Sequence, residues 1–315
     1  MTERAPAAPK RIFVTGATGV VGVHALPQLV ALGHDVTAIG RSDQKRKRLE
    51  SLGARATALD IFDEAATRAA LEGVDVVINL ATHMPSSAMK MMLPWSWREN
   101  DRVRREGSAA LARAAHAASV ARFMQESFAP VYEDGGDRWI DESWPMRPAP
   151  YNRTILDAER SAMHFTEQGG EGVVLRFGAF YGPDPMLRGM AEMVKRGWSP
   201  LAGSLSAYWS SIAQVDAASA VVALVSAPAG IYNVCDDTPL TRREWLGALA
   251  GAAGAKLPRP MPKLFETLGG STMELLSRSQ RMSNRKLRSA TGWASKWPSA
   301  KDGLADAVRT LYSRE

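Results

Sequence analysis

The chain has 315 residues, 45% of them hydrophobic and 23% charged, with a formal net charge of +6. This is room for one large α/β domain or a nucleotide domain with a smaller lobe, and the scattered basic residues give no reason to expect nucleic acid as a partner. A single cysteine, Cys235, excludes a disulfide framework and a multi-cysteine metal site. The start lacks a secretory apolar core and no run is long enough to cross a bilayer, so a cytoplasmic protein without metal or membrane partner is expected.

The first element is the apolar run Ile12-Phe13-Val14. It leads through Thr15-Gly16-Ala17-Thr18-Gly19-Val20-Val21-Gly22 into Val23–Val30, which has helical spacing. Strand, glycine turn and helix in that order make a nucleotide site. The glycines permit a tight turn and close backbone approach, and the helix N-terminus offers free N–H groups to a pyrophosphate. Further apolar runs predict strands at 35–39, 54–59, 74–80, 122–125 and 172–177, alternating with helices near 42–52, 63–72, 98–119 and 151–168. This alternation predicts an α/β fold: a Rossmann-type, doubly wound parallel sheet with ligands beyond the carboxyl ends of the strands. The basic block Lys45-Arg46-Lys47-Arg48 reads as a solvated helix face, with a second role near a cofactor phosphate open to it. After Gly182-Pro183 the rhythm changes. Residues 1–183, with 212–235 returning to them, read as the nucleotide domain, and 184–211 with 236–315 as a smaller substrate lobe.

With these elements placed, the chain resembles the extended short-chain dehydrogenase/reductase superfamily, the group of NAD-dependent epimerases and dehydratases. The resemblance rests on the glycine turn, Leu59-Asp60-Ile61, Asn79-Leu80-Ala81, Ala129-Pro130-Val131-Tyr132, the helix opened by Tyr151, and Leu175–Pro183. Gln214–Ala218 and Ile231-Tyr232-Asn233-Val234 complete it. It implies that Gly16, Ala17, Thr18, Gly19, Val20, Val21 and Gly22 cradle a pyrophosphate. It also implies that Asp60 bonds the adenine amine with Ile61 beside the ring, and that Leu80, Ala81, Thr82, Tyr151 and Phe177 line the remainder of a dinucleotide. Asp60 has a second reading, as the cap of a helix starting near Asp63.

NAD-selective sites carry a carboxylate about 20 residues beyond the glycines. Here the second strand ends Ile39-Gly40-Arg41-Ser42, with no acid and a guanidinium at the tip. That suits a 2′-phosphate, so Arg41 and Ser42, with Lys45 and Arg46 adding to the field, predict NADP as cofactor and NADPH in preference to NADH.

The catalytic pattern of the resembled superfamily is a tyrosine with a lysine four residues on, a serine near the end of the fifth strand and an asparagine in the preceding helix. In Tyr151-Asn152-Arg153-Thr154-Ile155 the tyrosine stands but isoleucine replaces the lysine, and Arg153 lies on another side of a helix. Phe128 takes the serine position with Ser127 one residue earlier, and Arg104 takes the asparagine position. A tyrosine of ordinary pKa pays about 4 kcal/mol to ionise at pH 7, so donating a proton is easier than abstracting one. Tyr151, His83 and Ser127 are the candidate catalytic residues, with Glu126 and Arg104 as further polar neighbours.

Relatives of this kind close the segment corresponding to 83–97 over their substrate. Here it is rich in methionine and tryptophan, and Trp139, Trp144, Trp198 and Trp209 fall in segments expected around the same cleft. Arg176 and Arg188 are available for a second diphosphate but form no dense constellation. An apolar or aromatic carbonyl or enone is therefore expected as small-molecule substrate, reduced with Tyr151 as proton donor. A non-redox isomerase, cyclase or lyase, or a silent NADP sensor, are the alternatives. The alanine-rich helices near 105–118 and 151–168 suit a homodimer.

Overall fold

A computed structural model describes residues 8–85, 93–262 and 268–313; part of the expected lid, 86–92, lies outside them. In chain order the first half runs β1 (Arg11–Thr15), α1 (Gly22–Ala31), β2 (Asp35–Ile39), α2 (Asp43–Ser51), β3 (Arg55–Thr57), α3 (Glu64–Ala70) and β4 (Val76–Asn79). Then come α4 (Arg98–Arg102), a π turn (Val103–Gly107), α5 (Ser108–Ala117), β5 (Arg122–Phe128), α6 (Ile155–Glu167) and β6 (Glu171–Phe177). Strand β7 (Gly230–Val234) completes a parallel seven-stranded sheet of order β7-β6-β5-β4-β1-β2-β3. Its inner strands β1, β4 and β6 are buried on both faces, which is why they read as largely apolar runs. The two-residue alternation sorts their side chains. Ile12, Val14, Val173 and Leu175 pack under α1 and the helix formed by Gln214–Leu224, whereas Phe13, Val77, Phe123 and Val174 pack under α5 and α6. The order reverses between β1 and β4, and a crevice opens there.

Two helices depart from the sequence expectation. The helix expected at 98–119 is interrupted by the π turn, and Gly107 within it passes so close to Ile61 that a Cβ would lie 2.8 Å from that residue's Cδ1. The helix expected from Tyr151 starts only at Ile155. A 3₁₀ turn, Pro150–Asn152, carries Tyr151 instead, with Thr154 at the N-cap position.

A second core gathers Tyr181, Leu187, Leu201, Trp245, Leu249 and Leu304 on α7 (Pro185–Lys195), α9 (Arg242–Ala252) and their neighbours. Helix α8 (Gln214–Leu224) carries the apolar run that returns the chain to the nucleotide half. Among the described residues three helices follow: α10 (Gly270–Ser277), α11 (Arg285–Thr291) and α12 (Ala300–Tyr312). Of these, α11 does not belong with the lobe core. Leu287 and Trp293 bury themselves in the sheet core, and the Trp293 indole donates to Ser219 at 2.9 Å. Among the described residues, no helix is long and apolar enough to cross a membrane.

The seam between the two cores holds a group of buried acids. Asp216 accepts from the backbone of Lys296 and Trp297 at 2.7 and 2.9 Å. Asp236, 2% exposed, is pushed well above the usual carboxylate range by burial and then by the charge of Asp216. A carboxyl with a raised folded-state pKa loses stability as pH climbs through its ordinary value near 4 and on to the folded one. Asp236→Asn is therefore expected to match the wild type near pH 4 and to melt about 3 °C or more above it at pH 8; coincident melting curves at both pH values would contradict this.

Candidate active site

Gly16 follows β1 at φ +68°, and a Cβ there would lie 2.3 Å from the Leu80 carbonyl. Gly22, opening α1, leaves no more room: a Cβ would sit 2.5 Å from the Cα of Ala17. Between them the Gly19 N–H donates to the Gly16 carbonyl at 2.9 Å, and no side chain caps α1. A backbone cradle with an uncapped helix end suits a pyrophosphate, so these residues fit a dinucleotide. The crevice beside them measures about 410 Å³. Gly16, Thr18 and Gly19 form its floor, whereas Ala17 and Val21 are buried in the core and Val20 faces out at 43% exposure.

At one end stand Arg41 and Lys45. Arg41 is exposed and makes no ion pair among the described residues. Ser42 is engaged as N-cap of α2, accepting from the Lys45 N–H at 3.3 Å, and Arg46 folds back to donate to the Gly40 carbonyl at 3.0 Å. Beside them, Asp60 accepts from the Phe62 N–H at 3.1 Å with Ile61 half-buried. The cap of α3 is Asp63, which accepts from Ala66, so the helix-cap reading of Asp60 falls away. Arg102 stacks on Phe62, 3.9 Å from the ring centre.

The opposite end is built by Leu80, Ala81, Thr82 and His83 after β4. Asn79 ties this corner to the sheet: it accepts from Thr15 and the Ala81 N–H and donates to Ser108 and Gln125. His83 is exposed, and its backbone N–H donates to Asn100 at 3.0 Å. Tyr151 stands beyond the crevice, half-buried, its ring 4.8 Å from that of Trp97, which precedes α4, whose Glu99 lines the crevice together with Val103 of the π turn. Burial pushes the phenol up to about 12, against the charges of Arg104 and Arg278. Ile155, where a lysine was looked for, is fully buried.

Three expectations need correction. Ser127 is 1% exposed and donates its hydroxyl to Glu159 on α6, because the alternation of β5 turns it away from Glu126 and Phe128. Phe177 does not line the crevice; it follows Val173 and Leu175 into the core and packs 5.2 Å from Phe180. Arg176 is unavailable to any ligand: it is 2% exposed and gripped by Glu159 at 2.9 and 2.7 Å and by Tyr132 at 2.8 Å. Sequence reading also missed two pairings, Arg104 with Glu126 at 3.1 Å and Arg278 with Glu274 at 2.7 Å. For the first the signal was the polar triplet Gln125-Glu126-Ser127 inside a buried strand, where every such group requires a partner.

Comparison with known proteins agrees with this geometry. The profile of the NAD dependent epimerase/dehydratase family matches residues 12–235. A 3-diazoavenalumate denitrifying reductase from a Streptomyces species is 30% identical over 313 residues, covering 93% of this chain and 99% of that one. Among solved structures, DesIV, a dTDP-glucose 4,6-dehydratase from Streptomyces venezuelae with NAD bound, superposes with a TM-score of 0.76 at 23% identity, covering 97% of each chain. The human epimerase family protein SDR39U1 with NADPH gives 0.75 at 21%, covering 96% of this chain and all of that one. The chain belongs to the NAD dependent epimerase/dehydratase family and is an NAD(P)-dependent oxidoreductase or epimerase-like enzyme.

Proposed function

We propose that the protein is an NADPH-dependent reductase of an apolar or aromatic carbonyl or enone, acting as a cytoplasmic homodimer, with Tyr151 as proton donor. The observation that carries this reading is the state of Tyr151. With its phenol near 12, only about one molecule in 10⁵ is ionised at pH 7, and Ile155 supplies no charge to change that. A neutral phenol donates a proton to a developing alkoxide and abstracts one from an alcohol poorly, so reduction is the favoured direction. A bound reduced nicotinamide supplies the hydride. Leu80, Ala81, Thr82 and His83 shape the end of the crevice where the substrate enters, and Trp97 fixes the plane of the Tyr151 ring. That a relative aligned over nearly its whole length is a reductase supports the same direction. The test of the reaction is oxidation of NADPH by purified protein across a panel of aromatic ketones, aldehydes and enones; no turnover with any of them would end the proposal.

The cofactor preference rests on Arg41, exposed at the crevice and in no ion pair among the described residues. A charge-assisted bond to a 2′-phosphate contributes about 1.5–3 kcal/mol. Arg41→Ala is expected to weaken NADPH binding roughly 10- to 100-fold while leaving NADH binding unchanged. Calorimetry with both nucleotides checks this, and equal wild-type affinities would refute the preference.

The dimer rests on the outer faces of α5 and α6, where Ala109, Ala112 and Ser161 line a groove of about 370 Å³ rimmed by Arg105, Asp157 and Arg160. Small side chains let two such faces approach closely. Sedimentation equilibrium is expected to show a dimer for the wild type and a monomer for Ala109→Arg; a monomeric wild type at micromolar concentration removes this part of the proposal.

A further inference from the structure

The chain has five asparagines, and all five are buried. A buried amide nitrogen without an acceptor costs stability, so each such group calls for an explanation. Three of the five are paired. Asn79 donates to Ser108 and Gln125, Asn233 to the Ile140 carbonyl, and Asn284 to the Cys235 carbonyl and Asp237. The Nδ2 of the other two, Asn100 and Asn152, finds no acceptor among the described residues. Asn152 follows Tyr151 in the 3₁₀ turn, and Asn100 lies on α4.

Asn100 is the one that a bond ties to the crevice. It is 0% exposed, and its Oδ1 accepts from the His83 N–H at 3.0 Å. Only the oxygen of an amide can accept, so that bond settles how the group is turned and leaves the nitrogen as the open atom. His83 lines the crevice, as do Glu99, just before Asn100, and Val103, one helical turn after it. The Asn100 amide therefore sits behind the crevice wall beside His83, at the end opposite Arg41 and Lys45. The same stretch of chain meets the segment of Tyr151: the Trp97 ring packs on the tyrosine, and Asp101 accepts from the Thr154 hydroxyl at 2.7 Å.

We propose that the Asn100 Nδ2 donates a hydrogen bond to the nicotinamide half of the bound dinucleotide, to an oxygen of either the second ribose or the carboxamide. The proposal rests on the crevice holding a dinucleotide and not on the direction of the reaction. It includes one movement. The nitrogen is shut off from water in the ligand-free chain, so His83, exposed and part of the wall, gives way as the nicotinamide half settles. A fragment that fills only the adenosine end leaves the amide as it is.

The experiment labels the protein with ¹⁵N at asparagine alone, which gives five side-chain amide pairs. The Asn100 pair is the one missing from Asn100→Leu, or from Asn100→Asp, which keeps an oxygen for His83, should the first variant not fold. Saturating NADPH is expected to move the Asn100 amide protons downfield, and 2′,5′-ADP to leave them in place. A shift already present with 2′-phospho-ADP-ribose assigns the acceptor to the ribose, and one seen with NADPH alone assigns it to the carboxamide. By calorimetry Asn100→Leu should weaken NADPH about 10-fold, the worth of one such bond, while 2′,5′-ADP binds as before. An amide unmoved by NADPH, or moved as far by 2′,5′-ADP, overturns the proposal, as does a variant that loses both ligands alike. If neither nucleotide binds, the dinucleotide reading of the crevice falls with it; if both bind and the amide stays still, only the role of Asn100 does.

Discussion

Tyr151→Phe is expected to lower kcat by about two to four orders of magnitude, the range in which a positioned general acid contributes. KM and the melting temperature should hardly move. The substitution keeps the ring that packs on Trp97 and removes one hydroxyl, for which no partner is found among the described residues. Dinucleotide affinity, measured by calorimetry, should also be retained, because the cradle at Gly16, Gly19 and Gly22 is untouched. Full turnover in Tyr151→Phe would show that the proton comes from elsewhere, and loss of nucleotide binding would show that the hydroxyl serves the cofactor rather than the reaction. The direction of the phenol's shift also predicts that wild-type activity shows no alkaline loss from Tyr151 below about pH 10, since the proton-bearing form prevails until the pH nears 12.

Arg176→Met should cost stability rather than chemistry. The guanidinium joins Glu159, the Tyr132 hydroxyl and the Glu142 carbonyl. Tyr132 passes the connection to Asn233 on β7 at 2.8 Å, and the Asn233 N–H donates to the Glu142 carboxylate. One cation thus links β6, β7 and α6 to the loop after β5. Removing it strands a carboxylate of which only 6% of the side chain is exposed, at a cost of about 3–5 kcal/mol, which for a chain of this size is a melting temperature lower by about 10 °C. Replacing both partners, Arg176→Met with Glu159→Gln, should recover much of that loss, since no unpaired charge is then left buried. A single variant melting within two degrees of the wild type would show that the network is dispensable.

The sheet was legible because its physics is local. Ile12-Phe13-Val14 and Val76-Val77-Ile78 are buried on both faces and so are apolar throughout, and a glycine turn with φ +68° at Gly16 announces itself in composition. That Gly16, Arg41 and Leu80 share one crevice follows from the strand order alone. Ser127 was not legible in the same way. Its partner Glu159 is 32 residues away on another element, and only the pleat of β5 says which face each residue takes. Phe177 could have been placed by that same alternation, since Val173 and Leu175 on its register already belong to the core. The π turn has no signature in composition. A stretch such as Val103-Arg104-Arg105-Glu106-Gly107 reads as ordinary helix, and its extra width comes from what packs on either side.

Gly107 against Ile61 and Arg102 on Phe62 lie on the same short rod as Trp97 against Tyr151. One rod therefore borders both the crevice and the ring of Tyr151. Whatever settles Ile61 and Phe62 also settles the platform of the phenol, and thermodynamic reciprocity demands that the favour be returned in equal measure. Any coupling between ligands at the two ends of this rod is reciprocal: the order in which they arrive is open, but the factor by which one assists the other is the same in both directions.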